Sequence, residues 1–450
     1  MFRKYLFLLI FIGFGLQAQH TVKGTLINPG NQSWVILYRV NGFQQNYVAQ
    51  VSIKEGRFTF NLDAKAQPGV YRLLYKSNKT DFLDFIYNKE DIELSFNPKD
   101  PSNTINFSKS NENNMFKKYA NNIAVPQSKV DSLQLLYFQP ADVTKNAKIR
   151  RDYTKYLKEV NTVQQRYETL SKDMLTYHFI KASKRYNATL PFKDPSHYLA
   201  SIKAHFFDAI DFNSLQLLNS TLINDRINDY IFYVNVSQNP QTQNNLFKKS
   251  INTVFAKINN STLKKDLTYN LIKRFSNKDN KTITEFLLSN YFDKLPAKDQ
   301  DLAYKNRVLN EMKTVVNAKA PNITWQDFSG NHSLYELTGA KYYLIVFWSS
   351  TCSHCLHEIP ILYTYIKDKK DVKVVAVGLE SGPNPWNTEM NKYPNFIHVF
   401  GKNKWQNKFS KAYNIHATPT YIILDADKNI IDKPYGVEDV KKYFNKKNIH

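Results

Sequence analysis

Residues 342–348 read YYLIVFW, and four positions on come residues 352–355, CSHC. A continuous apolar run of this length predicts a strand buried on both faces, the kind found in sheets covered by helices on each side. A helix is predicted to begin at the cysteines. A buried strand passing through a short turn into a helix commits its surroundings to alternating β and α. Residues 316–450 supply the remaining pieces. Ala320-Pro321 opens the region, ITWQDFSGNHSL reads as a hairpin with a Ser329-Gly330 turn, and LYELTG as a short helix. VKVVAVGLE is a second buried strand. WNTEMNKY and WQNKFSKAY read as helices, TYIILDADKNIIDK as a hairpin around Asp427-Lys428-Asn429, and residues 437–446 as a final helix.

Cys352 and Cys355 are the only cysteines among 450 residues. The chain starts MFRKYLFLLIFIGFGLQAQH, with Arg3 and Lys4 before an uncharged run over residues 5–16, then Gln17-Ala18-Gln19. That is the layout of a secretory signal peptide over residues 1–19. The run is too short to span a bilayer, which takes about 20 residues. No cysteine lies near the cleavage point for a lipid, and no later apolar run has membrane length. The expectation is a soluble protein exported to the periplasm. Outside the cytosol, cysteines tend to serve as structural staples. This chain has none to spare, and C-x-x-C spacing fits a redox pair better. Zinc would need four ligands around a tetrahedron. His354 and His357 share one helical turn with the cysteines and cannot wrap one, so no metal is expected.

The strand–CxxC–helix order has a chemical consequence. It sets Cys352 at a helix start, where free N–H groups and the helix dipole favour a thiolate. The thiolate is the attacking species. Cys355, one turn on, can reach the sulfur of Cys352. Attack by Cys352 on a disulfide would give a mixed disulfide, and attack by Cys355 on Cys352 would release the reduced product. The Cys352–Cys355 disulfide itself would carry the electrons, and no separate cofactor is expected.

The string F-W-x-x-x-C-x-x-C-x-x-E-x-P over residues 347–360, with Ala417-Thr418-Pro419-Thr420 downstream, resembles the TlpA/ResA-like thioredoxin-fold family of exported thiol–disulfide oxidoreductases. The resemblance implies a thioredoxin fold for residues 316–450. It implies an active-site helix kinked at Pro360, which lacks an N–H. It also implies a cis Pro419 facing the cysteines, with Trp348, Thr418 and Pro419 at the substrate side. ESGPNPWNTEMNKYP matches the αβ element inserted in this subfamily. Glu358 matches the glutamate placed near the active site, where a carboxylate raises a thiol pKa and handles its proton. Val346 stands where thioredoxin has a buried acid, which strengthens Glu358 for that role; Thr351 replaces a tryptophan. His354 pulls the other way on direction. As an imidazolium it would stabilise the Cys352 thiolate and make the pair more oxidising. The alternatives are therefore a reductase and an oxidase or isomerase. A peroxidase of P-x-x-x-[ST]-x-x-C type is matched at Ser349, but Ile345 holds the proline position. His357 reads as a surface residue, and His416 near the loop has no assigned role. The implied partners are disulfide-containing envelope proteins, apocytochrome c among them, and a membrane thiol electron donor.

Residues 20–108 hold seven short runs rich in Val, Ile, Phe and Tyr, separated by turns such as Asn28-Pro29-Gly30 and Asn41-Gly42. They predict an antiparallel sandwich or partial barrel. This string resembles the small β-domain that precedes thioredoxin-like domains in exported Bacteroidota-type proteins. Residues 109–315 read as all-α. Ile149, Tyr153, Tyr156, Val160, Val163, Tyr167, Leu170, Met174 and Tyr177 step by 4 and 3, one face of a helix of about 30–40 residues. Either an intramolecular bundle or a homodimer through the 149–177 helix would cover that face. The net charge of +22 comes from 61 basic and 39 acidic residues. The lysines are scattered and no nucleic-acid motif accompanies them, so no nucleic-acid partner is expected. The whole chain reads as multidomain: signal 1–19, β-domain 20–108, helical region 109–315, thioredoxin-like α/β domain 316–450. A non-enzymatic envelope binding protein, with residues 20–315 doing the work, stands as a further alternative.

Overall fold

A computed structural model describes residues 20–76, 81–140 and 142–447. The signal segment expected over residues 1–19 lies outside them. The chain divides into two compact units, one ending at Leu267 and one beginning at Thr268.

The first unit opens with eight strands: β1 (His20–Leu26), β2 (Trp34–Asn41), β3 (Gln44–Ser52), β4 (Arg57–Leu62), β5 (Gly69–Leu74), β6 (Phe82–Tyr87), β7 (Ile92–Phe96) and β8 (Asn106–Lys109). They form two four-stranded sheets in the orders β4-β1-β7-β8 and β3-β2-β5-β6. Alternation decides which side chains go inward. Phe58, Phe60 and Leu62 of one sheet and Leu37, Tyr71, Leu73 and Phe85 of the other share one buried core. The result is a sandwich, antiparallel except for one pair, β1 with β7, which runs parallel.

Helices α1 (Asn111–Phe138) and α2 (Val143–Leu170) follow, 28 residues each. Each starts on a side-chain cap: Ser110 accepts from the Asn113 N–H, and Asp142 from the Lys145 N–H. Such caps satisfy N–H groups that have no partner within the helix. The tyrosine-rich stripe of α2 packs on α1. Tyr167 joins Tyr119 in one cluster, and Tyr153 and Val160 join Val130 in another. The Tyr119 hydroxyl donates to Gln164 Oε1 at 2.8 Å. The buried part of the 149–177 face is therefore covered within the chain. α2 also ends at Leu170, short of Met174 and Tyr177.

The second unit carries a hairpin, β9 (Thr324–Asp327) and β10 (Gly330–Ser333), and a five-stranded sheet. The sheet contains β11 (Tyr342–Trp348), β12 (Val372–Glu380), β13 (Ile397–Lys402), β14 (Thr420–Leu424) and β15 (Ile430–Asp432), in the order β13-β12-β11-β14-β15. β11 is central, parallel to β12 and antiparallel to β14. Its alternation splits the apolar run between two cores. Leu344, Val346 and Trp348 face α3 (Ser353–Ile366) and α4 (Val437–Lys446). Tyr343, Ile345 and Phe347 face the opposite core with Phe409 and Tyr413. This burial on both faces is why the strand carries no polar residue.

Candidate active site

β11 ends at Trp348, and residues 349–352 turn the chain into α3. Cys352 is the N-cap of α3, so its sulfur sits among N–H groups that have no helical acceptor. Its thiol donates to the Thr418 carbonyl at 3.4 Å. Burial pushes this thiol up. The backbone N–H groups of Cys355 and His354, with the Cys355 and Thr418 side chains, outweigh that and hold it below the ordinary thiol value. Cys355 lies one turn in and is fully buried. Burial pushes it up to about 12, against the Ser349 N–H, which lowers it. The two thiols are thus chemically unequal. One is partly exposed and held below the ordinary thiol value, the other enclosed and pushed above it.

The loop before β14 approaches from the opposite side. The Thr418–Pro419 bond is cis, and Thr418 meets Cys352 through its carbonyl. Both Thr418 and Pro419 are partly exposed, next to the accessible sulfur. Glu358 extends from α3 beneath this loop. Its Oε2 accepts from the Tyr421 hydroxyl and from the Val437 N–H at the start of α4, both at 2.9 Å. Burial first, then the Glu358 carboxylate and the Cys355 sulfur, hold the Tyr421 hydroxyl far above the usual phenol range. Tyr421 is thus bonded to Glu358 and lies near enough to the buried thiol to feel its charge. Pro360 lies inside α3.

One sequence-based placement changes, that of Trp348. Trp348 does not line a substrate surface; its side chain is 0 % exposed and packs in the core with Cys355 and Ile359. It is the last residue of a strand buried on both faces, which turns it inward to support the site from below. His354 is exposed, and the group it brings to Cys352 is its backbone N–H. His357 is exposed on the same helix. His416 is exposed, its Nε2 paired with Asn414 Oδ1 at 2.9 Å. Two residues escaped the sequence reading. Tyr421 sits in a run, TYIIL, that reads as plain apolar strand. Glu380 ends β12 as its only acidic residue and is buried. The available signal was position, because sites in α/β sheets gather at the carboxyl ends of parallel strands.

Among the described residues, no group of three or more His, Cys, Asp or Glu stands close enough together to hold a metal ion. No helix among them is long and apolar enough to cross a membrane.

Comparisons with known proteins find similarity over two parts of the chain. Residues 339–430 match the profile of a thioredoxin-like family, and residues 20–136 match a domain of unknown function, DUF4369. No curated protein matches the chain. Among solved structures, a domain of a possible thiol-disulfide isomerase from Cytophaga hutchinsonii is similar at 32% identity. That match covers 30% of this chain and 93% of the other, with a TM-score of 0.27. The thioredoxin domain of a thiol-disulfide oxidoreductase from Bacteroides vulgatus is 24% identical, over 30% of this chain and 99% of the other, TM-score 0.27. A thioredoxin-like protein from Bacteroides caccae is 16% identical, over 56% of this chain and 94% of the other, TM-score 0.31. The thioredoxin-like profile thus falls on the strand, the cysteine pair and the proline loop, and residues 339–430 belong to that thioredoxin-like family.

Proposed function

We propose that this protein reduces disulfides of exported proteins in the periplasm through the Cys352/Cys355 dithiol. The observation that carries the reading is the inequality of the two thiols, one accessible and held low, the other buried and pushed up to about 12. The Cys352 thiolate attacks one sulfur of a substrate disulfide. The substrate S–S bond breaks, a mixed disulfide forms, and the leaving sulfur takes up a proton. Cys355 then loses its proton and attacks Cys352. The mixed disulfide breaks, the Cys352–Cys355 bond forms, and two electrons have passed to the substrate. Glu358, approached through Tyr421, is the carboxylate placed to take the Cys355 proton. A membrane thiol donor would restore the dithiol, and envelope proteins, apocytochrome c among them, would be substrates.

The main groups lowering Cys352 are backbone N–H groups and the Cys355 and Thr418 side chains. Thiolate stabilisation of any origin favours the reduced pair, so the direction is read from the reduction potential. A reduction potential near about −270 mV fits a reductase, and one near about −120 mV an oxidant.

The test is Cys355→Ser in the full chain, mixed with a disulfide-containing model protein. The expected outcome is a stable adduct through Cys352, mapped by mass. Absence of any adduct, with the variant folded and Cys352 reduced, would overturn the reading.

A further inference from the structure

Glu380 is 2 % exposed, at the carboxyl end of β12. The register of β12 on β11 explains its position. Trp348 pairs with Gly378, so two residues further on Glu380 meets the turn that leads to the cysteines. Its Oε1 accepts the Ser350 N–H at 2.5 Å, and its Oε2 accepts the Ser349 hydroxyl at 3.3 Å. Among the described residues, no Lys, Arg or His makes an ion pair with it; Lys402, its register partner on β13, is exposed. A buried carboxylate without a cation is costly unless donors satisfy it, and here the donors come from the active-site turn.

Ser349 is the hub of that turn. Its carbonyl accepts the Cys352 N–H at 3.1 Å. Its hydroxyl oxygen accepts the Thr351 N–H at 3.3 Å. Its own N–H favours the Cys355 thiolate. A group that fixes Ser349 and Ser350 therefore fixes the backbone that presents both sulfurs. Charge-assisted hydrogen bonds are the stronger kind, and a carboxylate at the end of a rigid strand is a firm anchor for a turn.

We propose that Glu380 is a positioning residue, clamping the 349–351 turn from the neighbouring strand so that both cysteines meet their N–H donors. This deepens the oxidoreductase reading, yet its test needs no substrate. The reduced full chain is alkylated with iodoacetamide across a pH series, and the label on Cys352 is followed by mass. In Glu380→Ala the clamp is lost, and the pH midpoint of Cys352 alkylation rises toward that of a free thiol. Below the midpoint the alkylation rate falls with that rise, since the thiolate is the reacting form. Glu380→Gln keeps an acceptor for the Ser350 N–H and holds the midpoint near that of the parent. The sign discriminates, because merely removing a negative charge near a thiol would lower the midpoint. A lowered or unchanged midpoint in Glu380→Ala overturns the proposal, as does a Gln variant shifted as far as the Ala variant. Should the Ala variant not fold, Glu380→Asp, one methylene shorter, is expected to shift the midpoint upward, and an unshifted Asp variant overturns the clamp. Normal alkylation behaviour in a protein that reduces no disulfide would count against the proposed function and leave this inference standing.

Discussion

In the proposed mechanism Cys355 must lose a proton before it resolves the mixed disulfide, yet burial pushes its thiol up to about 12. A general base in the right place is therefore worth more at this step than at the first. We propose that Tyr421 and Glu358 supply that arrangement. The hydroxyl donates to the carboxylate at 2.9 Å, and the tyrosine lies near enough to Cys355 to feel its charge. Tyr421→Phe removes the hydroxyl and keeps the ring. The expected result is resolution slowed by about tenfold or more, with adduct formation at Cys352 unchanged, as read by rapid-quench mass analysis. The pH dependence has a definite sign. Resolution quickens as pH rises toward the Cys355 value, whereas adduct formation levels off earlier because Cys352 ionises lower. Resolution at the parent rate would remove Tyr421 from the mechanism. Cys352, Cys355 and Glu358 are readable in the sequence because they share one contiguous string. Tyr421 and Glu380 are not, because β-strand register brings them to the turn from elsewhere in the chain. An aromatic in an apolar strand and a charge at a strand end both have ordinary explanations until the pairing is known.

Pairing also decides what the strands tolerate. Gly24 of β1 lies opposite Phe58 of β4. A Cβ built on Gly24 would fall 1.9 Å from Phe58 Cζ, so the phenylalanine ring occupies the space over the glycine. Gly24→Ala is expected to destabilise the protein by about 1–3 kcal/mol through this overpacking. Urea denaturation reads the cost, and an unchanged midpoint would mean that Phe58 has another place to go. Alternation in sequence is enough to expose seven of the eight strands, since a period of two is a local signal. It misses β8, which has one buried residue, Phe107. It also misses the parallel β1–β7 pairing, because which strands meet is a long-range matter. The tyrosine stripe is legible as a helix face for the same local reason. Its end at Leu170 is not, because the spacing continues through Met174 and Tyr177 while the backbone leaves the helix after Leu170 and enters another over Thr176–Ser183.

At the scale of the whole molecule, the thioredoxin-like unit was the most legible part. Its buried strands, cysteine turn and proline loop occur in a fixed order along the chain, and each constrains the next. The long helical region offers no comparable punctuation. Its helices share one polar, lysine-rich composition, so nothing in the sequence marks where one compact unit gives way to the next after Leu267. The β-sandwich and the helices of the first unit hold no cysteine, so every electron the protein handles by thiol chemistry must pass through Cys352 and Cys355. That is the central claim, and a single-turnover experiment tests it most directly. The reduced full chain is mixed with an oxidised model protein, and both partners are followed by mass. The expected result is a transient adduct at Cys352, then a Cys352–Cys355 disulfide with one substrate disulfide reduced per chain. Electron transfer undiminished in Cys352→Ser would contradict the account.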